Sequence, residues 1–234
     1  MISAETRLDL RGTWLGFQRL LPLSVFVAAF GVAFGLAAAQ TGLTKFEALL
    51  MSGLVFAGAS QFAALELWQA EIPLLALVMT TFAINARHLL MGASLYPWLS
   101  ELPVGQRYGI LTLISDANWA LAAQDYARGE RNLGILFGGG LAIWLTWVGG
   151  TLLGLLLTQG IPDPQAWGLD MVLGCFLLTM ALGGKKNFRQ LVIWTVAGAV
   201  TLAAFYWLPP NLHVILGALA GGLVGALWLE AKPE

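Results

Sequence analysis

Apolar residues run along this chain in blocks of about twenty, the length at which a helix crosses the hydrocarbon core of a bilayer. Eight blocks can be marked, at roughly 20–40, 47–68, 72–97, 108–126, 132–158, 168–184, 190–208 and 211–229. The weakest boundaries are the loop at 41–46 and the link Gln69-Ala70-Glu71. If 54–68 dips into the membrane and returns, the number falls to seven. Pro73 suits the first turn of the third block, where its missing N–H does little harm. The pattern predicts an all-α integral membrane protein, a polytopic helix bundle of seven to eight transmembrane segments, with room for breaks in some of them.

Residues 1–19 stand apart as an N-terminal cytoplasmic or interfacial segment ahead of a single transmembrane domain over 20–230. Leu10, Trp14, Phe17 and Leu21 share one helical face while Arg7, Arg11 and Arg19 fall mostly elsewhere. That fits a short helix on the membrane surface, with a frayed polar tail as the alternative. The mixture of Glu5, Arg7, Asp9 and Arg11 with scattered apolar positions lacks the order of a cleavable signal.

Composition agrees with the pattern. The 234 residues are 58% hydrophobic and 11% charged, with mean hydropathy +0.76, whereas soluble domains carry about 25% charged residues. The net charge of −1 indicates no nucleic acid or other polyanionic partner. Lys and Arg set the orientation. With the N-terminus inside, Arg7, Arg11, Arg19, Arg128, Arg131, Lys185, Lys186, Arg189 and Lys232 are cytoplasmic, only Lys45 and Arg107 face out, and Arg87 is intramembrane. This predicts an even number of crossings and both termini in the cytoplasm. Cys175, the single cysteine, reads as a small buried hydrophobe. The spacings Gly31/Gly35, Gly150/Gly154 and Gly217/Gly221/Gly225 read as helix-packing sites. Trp144, Trp147, Trp194, Trp207 and Trp228 mostly fall near predicted span ends, as interfacial aromatics do. The loop 159–164 is a turn by composition, and Asp163 and Asp170 flank the start of the sixth block.

The candidate chemistry lies where polar residues interrupt the apolar blocks. Residues 54–95 contain Ser60, Gln61, Asn85, Arg87 and His88. No water is present in a bilayer core to satisfy such groups, and an intramembrane Arg costs about 2.5–3.5 kcal/mol on the insertion scale. A chain that only spanned the membrane would carry Leu there. Thr81, Asn85, His88 and Gly92 form one stripe of the third block, and Gly53, Ala57, Ser60 and Ala64 form a stripe of the second with Gln61 beside it. The Gly-Ala-Ser segment is a place where a helix can unwind and expose backbone groups to a ligand; bonding to a neighbouring helix is the simpler alternative. In the fourth block Ser115, Asp116, Asn118 and Trp119 lie at mid-membrane. At about 1.5 Å per residue, Arg87 and Asp116 come to similar depths, so the two are expected to pair across consecutive antiparallel spans. His88 is the natural proton-handling group, with a plain carbonyl contact as its alternative. His213 reads as interfacial.

Enzyme readings lack support. There is no H-E-x-x-H, no paired-cysteine metal site and no phosphate-cradling G-x-x-x-x-G-K-[ST] loop. No metal ligand set and no cofactor is expected.

FAGASQFAA followed by NARHLLMGASL resembles the AzlC family of branched-chain amino acid permeases. GVAFGLAAAQTGLTKFEALLMSGLV, SDANWAL, IPDPQAWGLDMVLGCFLL and the lysine-bearing turn extend the likeness over nearly the whole chain, in the family's order. The resemblance implies a permease of the bacterial inner membrane that exports branched-chain and related neutral amino acids on the proton motive force. It also implies a separately encoded small membrane subunit of the AzlD type. The expected substrate-binding residues are Ser60, Gln61, Asn85, Asn118 and Trp119, and the expected proton and charge relay is Arg87, His88 and Asp116. One departure stands out: where relatives often have T-D-E-x-F/W-A, this chain has Ala117 after Asp116. The alternatives from other classes are a channel or passive pore for a small solute, and a non-transporting scaffold for a partner subunit.

Overall fold

The computed structural model describes residues 7–68, 72–158, 187–207 and 212–228. The described residues form ten helices and no strand: α1 (Leu10–Gln40), α2 (Lys45–Val55), α3 (Gly58–Glu66), α4 (Leu74–Asn85), α5 (Arg87–Leu99), α6 (Val104–Leu111), α7 (Asp116–Ala127), α8 (Gly134–Leu157), α9 (Phe188–Trp207) and α10 (Leu212–Leu227). The sixth predicted block, with Asp163, Asp170, Cys175, Lys185 and Lys186, lies outside them, as do Glu5 and Lys232.

Among the described residues, four stretches are long and apolar enough to cross a membrane: α1, the combined α4–α5 stretch Leu74–Leu99, α8 and α9. The distribution of side chains is that of a lipid-embedded bundle. Leu75, Phe82 and Leu90 on α4–α5 and Phe26 on α1 are exposed, whereas Ser52, Ser60, Gln61, Asn118 and Thr151 are buried. Water would not favour such an arrangement, but a bilayer does.

Helices α1 and α8 form the centre, and they run parallel. Gly31 lies against Gly150 and Gly35 against Gly154, and the contact is reciprocal. A β-carbon on Gly150 would meet the carbonyl of Ala28, and one on Gly31 would meet that of Trp147, each three residues before the facing glycine. Only glycine lets the backbones approach this closely. Nearer the N-terminal ends, Gly16 and Gly138 repeat the contact through the carbonyls of Ile135 and Thr13. Fifteen residues separate Gly16 from Gly31 but twelve separate Gly138 from Gly150. At about 1.5 Å per residue α1 therefore takes a path about 4.5 Å longer, and Pro22 lies in that stretch.

The expected surface helix before residue 20 is not separate. It is continuous with the first span, making α1 31 residues long. A helix of that length reaches about 46 Å, longer than the roughly 30 Å core, so its first turns serve as the interfacial part. Trp14 and Phe17 stack there at 5.7 Å.

Between α1 and α8 the chain is made of half-length pieces. Two apolar clusters hold them. Phe34, Ala38, Ala48, Leu65, Trp147 and Leu155 pack α1, α2, α3 and α8 together. Met91, Leu95, Trp98, Ile110, Ala122 and Leu136 join α5, α6, α7 and α8. Polar contacts pin the pieces further. Ser52 bonds Thr151 (2.8 Å), and Trp144 donates to the carbonyl of Gly53 (2.9 Å), both fixing α2 to α8. Arg107 on α6 donates to the carbonyls of Ser100 and Leu102, closing the C-terminal end of α5.

Two of the tryptophans expected at the interface are elsewhere. Trp144 and Trp147 occupy the middle of α8, and Trp147 is buried against Phe34 and Gly58. Their rings fill the space that α2 and α3 leave where they bend, a packing demand that span ends do not reveal. Helices α9 and α10 form an antiparallel hairpin. Gly217 lies against Thr201, Gly221 against Ala197 and Gly225 against Ile193, and Arg189 donates to the Gly225 carbonyl (2.7 Å). His213 packs edge-on to Phe205.

Candidate functional site

Three consecutive segments are each interrupted near the middle, and the polar residues cluster at the interruptions. The first lies between α2 and α3. Phe56 takes a left-handed conformation (φ 45°), rare for a residue other than glycine, and Ala57 is extended enough to end one helix before the next begins. Strain of this kind persists where the surrounding structure fixes it. Here Gln61 accepts from the Ala57 N–H (3.2 Å) and Ser60 donates to the Ala57 carbonyl (2.9 Å), so both backbone groups of the break are held by the first turn of α3. No side chain caps α3.

The second interruption, at Ala86, is milder: its backbone stays helical while the ladder breaks. Asn85, at the end of α4, donates to Ser60 (3.0 Å) and so joins the two interruptions. The carbonyl of Asn85 is taken by His88 Nδ1 at 3.1 Å. A carbonyl only accepts, so Nδ1 carries a proton in this contact and Nε2 is left for another partner.

The third interruption separates α6 from α7 over residues 112–115. Asn118 holds it in place. Its Oδ1 accepts from the N–H (2.6 Å) and hydroxyl (3.0 Å) of Ser115, and its Nδ2 donates to Leu113 (2.8 Å) and Leu136 (3.1 Å). The Leu113 carbonyl also lies against Gly140 of α8, where a β-carbon would not fit. Asp116 opens α7, and its carboxylate meets Arg87 Nη1 at 3.0 Å, the pair expected from their depths. Both side chains are about one-third exposed (36% and 33%), so the pair opens onto a cavity or surface rather than being sealed. Trp119 donates to Ser94 (2.8 Å), tying α7 to α5.

Ser60, Gln61, Asn85, His88, Arg87 and Asp116 are thus brought together by α3, α4, α5 and α7. Two expected ligand residues are differently engaged. Every polar atom of Asn118 is used inside the fold, which leaves it the work of placing Asp116. Trp119 has its indole N–H committed to Ser94. Free hydrogen-bonding capacity remains elsewhere: Gln61 Nε2, Asn85 Oδ1 and Arg87 Nε are buried and have no partner among the described residues.

Sequence reasoning missed a second ion pair. Arg19 on α1 meets Asp125 on α7 at 2.6 Å, with the Asp125 side chain only 8% exposed. The charge pattern placed Arg19 in the cytoplasmic segment. Asp125 lies nine residues beyond Asp116 in the same predicted span, and that second carboxylate in one span was the available signal.

The matched relatives are membrane proteins throughout. "Inner membrane protein YgaZ" of Escherichia coli is 26% identical over 234 residues, covering 94% of this chain and 93% of the relative. An uncharacterized membrane protein of Archaeoglobus fulgidus is 30% identical over 212 residues, covering 89% and 92%. One from Helicobacter pylori is 25% identical over 199 residues, covering 79% and 82%. No solved structure matches. The AzlC protein family model matches residues 22–161, the stretch from α1 through α8 that contains all three interruptions. This multi-pass helical membrane protein belongs to the AzlC protein family.

Proposed function

We propose that the chain is the large subunit of a permease that exports neutral amino acids, branched-chain ones among them, across a bacterial inner membrane. The observation that carries this reading is the gathering of polar side chains at three interrupted segments inside an otherwise apolar bundle. Broken helices place backbone dipoles and free polar groups at membrane depth, the arrangement by which transporters hold small polar substrates. Membership of the AzlC family supports a transport role and favours amino acids as substrates.

The topology in this reading has eight crossings with both termini in the cytoplasm. The parallel course of α1 and α8 requires an odd number of crossings between them, which three would satisfy; one would satisfy it too, with α2–α3 and α6–α7 each turning back at its interruption, and the two ends of each segment do share a cluster. Energy comes from the proton motive force, with Asp116 and His88 as the groups that exchange protons. The partner is a small membrane subunit of the AzlD type, seated on the apolar outer faces of the bundle.

The test is efflux of radiolabelled leucine, valine and methionine from proteoliposomes, with and without the small subunit, under an imposed pH gradient. Saturable efflux that follows the gradient and falls with Asp116→Asn is expected. Flux that never exceeds equilibration would identify a passive pore, and no flux for any of the three would overturn the substrate assignment.

A further inference from the structure

The two backbone groups of Ala57 fix the direction of every hydrogen bond around the first interruption. Its N–H can only donate, so the Gln61 atom facing it is the amide oxygen, and Nε2 is left free. Its carbonyl can only accept, so the Ser60 proton points there. The Ser60 oxygen is then an acceptor towards Asn85, whose Nδ2 donates to it and whose Oδ1 is left free. Turning either amide over would set like against like. The interruption therefore presents one free donor and one free acceptor, on α3 and α4, locked in those roles through Ser60 and Ala57. Gln61 is fully buried, and a buried polar group without a partner is costly to leave unmade.

We propose that this donor–acceptor pair reads the α-carbon end of a neutral amino-acid zwitterion. Gln61 Nε2, together with the uncapped N–H groups at the start of α3, takes the α-carboxylate, and Asn85 Oδ1 takes the α-ammonium. The N-terminal end of a helix favours an anion and its amides point at it. The amide of Gln61 sits at that end, because its oxygen is already bonded to Ala57 and its nitrogen is carried on the same carbon. Charge balance sets the class of ligand. Arg87 and Asp116 neutralise each other, and the Gln61 and Asn85 amides are uncharged. A ligand of zero net charge enters without a counter-ion, and anionic or cationic amino acids do not. The assignment rests on the transport reading above, but it makes a claim that reading does not contain: which end of the substrate meets which helix.

The experiment measures equilibrium binding to the purified protein of leucine, leucinamide (which lacks the carboxylate) and 4-methylpentanoate (which lacks the ammonium). The wild type is expected to prefer leucine by about tenfold or more over either analogue. Gln61→Glu sets a carboxylate where the substrate's own belongs. It is expected to lose leucine by about tenfold or more while holding or improving leucinamide, inverting the preference. Asn85→Leu should weaken leucine and leucinamide together and leave 4-methylpentanoate unchanged. If Gln61→Glu does not stay monodisperse, Gln61→Met serves instead, with leucine falling towards the leucinamide level. A wild type that binds leucine, with either Gln61 variant weakening all three ligands equally, would overturn the carboxylate assignment alone. A wild type that binds none of them would overturn the amino-acid reading itself.

Discussion

Asp9 and Asn132 lie 123 positions apart and bond side chain to side chain at 2.9 Å, joining the starts of α1 and α8. Asp9 also accepts from the Gly12 N–H (2.6 Å), and Asn132 accepts from that of Gly134 (3.0 Å). Two parallel helices put their positive ends side by side, an unfavourable arrangement that one carboxylate between them relieves. The bond from Asn132, then the Gly12 N–H, hold the Asp9 carboxyl below its ordinary range. A carboxyl depressed in the folded state stabilises at pH above its unfolded value of about 3.9 and stops doing so as pH falls through the lower folded value. Thermal stability in detergent should therefore fall on acidification below about pH 4. Asn132→Ala lets the folded value rise towards the unfolded one and should shrink that loss, and Asp9→Asn, which keeps an acceptor but no charge, should flatten that part of the profile. Equal acid profiles for all three proteins would show that Asp9 is not coupled to folding.

Neighbouring glycines of α8 make a contrasting pair. A β-carbon on Gly150 meets the Ala28 carbonyl, whereas one on Gly149 meets nothing within 4 Å. Gly150→Ala should force α1 and α8 apart and destabilise by about 1–3 kcal/mol, the usual consequence of overpacking. Gly149→Ala should be neutral or slightly stabilising, since alanine is the better helix former. Melting temperatures in one detergent decide it, and equal effects at the two positions would mean the backbones do not touch there.

How much of this was legible in the sequence differs from residue to residue. Ser60, Gln61, Asn85, Arg87 and Asp116 stood out because lipid makes a polar group conspicuous, and their depths sufficed to pair Arg87 with Asp116. The glycine spacings likewise announced helix contacts, though not that Gly31 would face Gly150 in a parallel pair, which depends on the path of the whole intervening chain. The break itself was readable only as a permissive Gly-Ala-Ser segment. Its sharpest feature falls at Phe56, whose left-handed backbone is held by packing and has no local signature. Asn118 looked like a ligand residue because it is polar at mid-membrane. Its satisfied carbonyl contacts come from Leu113 and from Leu136 on another helix, which sequence spacing does not report. The partner of Arg19 was missed because a charge count assigns basic residues to sides of a membrane and says nothing of a buried carboxylate near the end of α7.

The Arg19–Asp125 pair is buried on its Asp125 side and open on its Arg19 side, whose side chain is 35% exposed. Arg19→Ala leaves the buried Asp125 carboxylate without its partner and should destabilise, by less than the roughly 3–5 kcal/mol of a fully sealed pair. Arg19→Met combined with Asp125→Leu removes both charges and should recover most of that loss, because the desolvation penalty goes with them. A double variant no more stable than Arg19→Ala would assign the effect to the lost packing of the Arg19 stem instead.

The Arg87–Asp116 pair is different in kind, and its partial exposure is the reason. Exposed pairs are worth about 0–1 kcal/mol and breaking sealed ones costs about 3–5 kcal/mol, so a pair one-third open should fall between. Its loss should therefore leave a folded protein in which function can be read. If the pair only braces α5 against α7, the neutral double variant Arg87→Gln/Asp116→Asn should transport as the wild type does. If Asp116 exchanges protons during the cycle, the double variant should stay folded yet lose the response to an imposed pH gradient while downhill exchange of leucine persists. The two measurements, melting temperature and gradient-driven against downhill flux, respond to different properties of the same pair. The Asp116 carboxylate is engaged by Arg87 Nη1 at 3.0 Å. For Asp116 to take up a proton the salt bridge must open first, so coupling through it requires that α5 and α7 separate at the third interruption during the cycle. A short cross-link between cysteines placed at Arg87 and Asp116, in an otherwise cysteine-free protein, should accordingly block the downhill exchange of leucine that the two substitutions leave, and reduction should restore it.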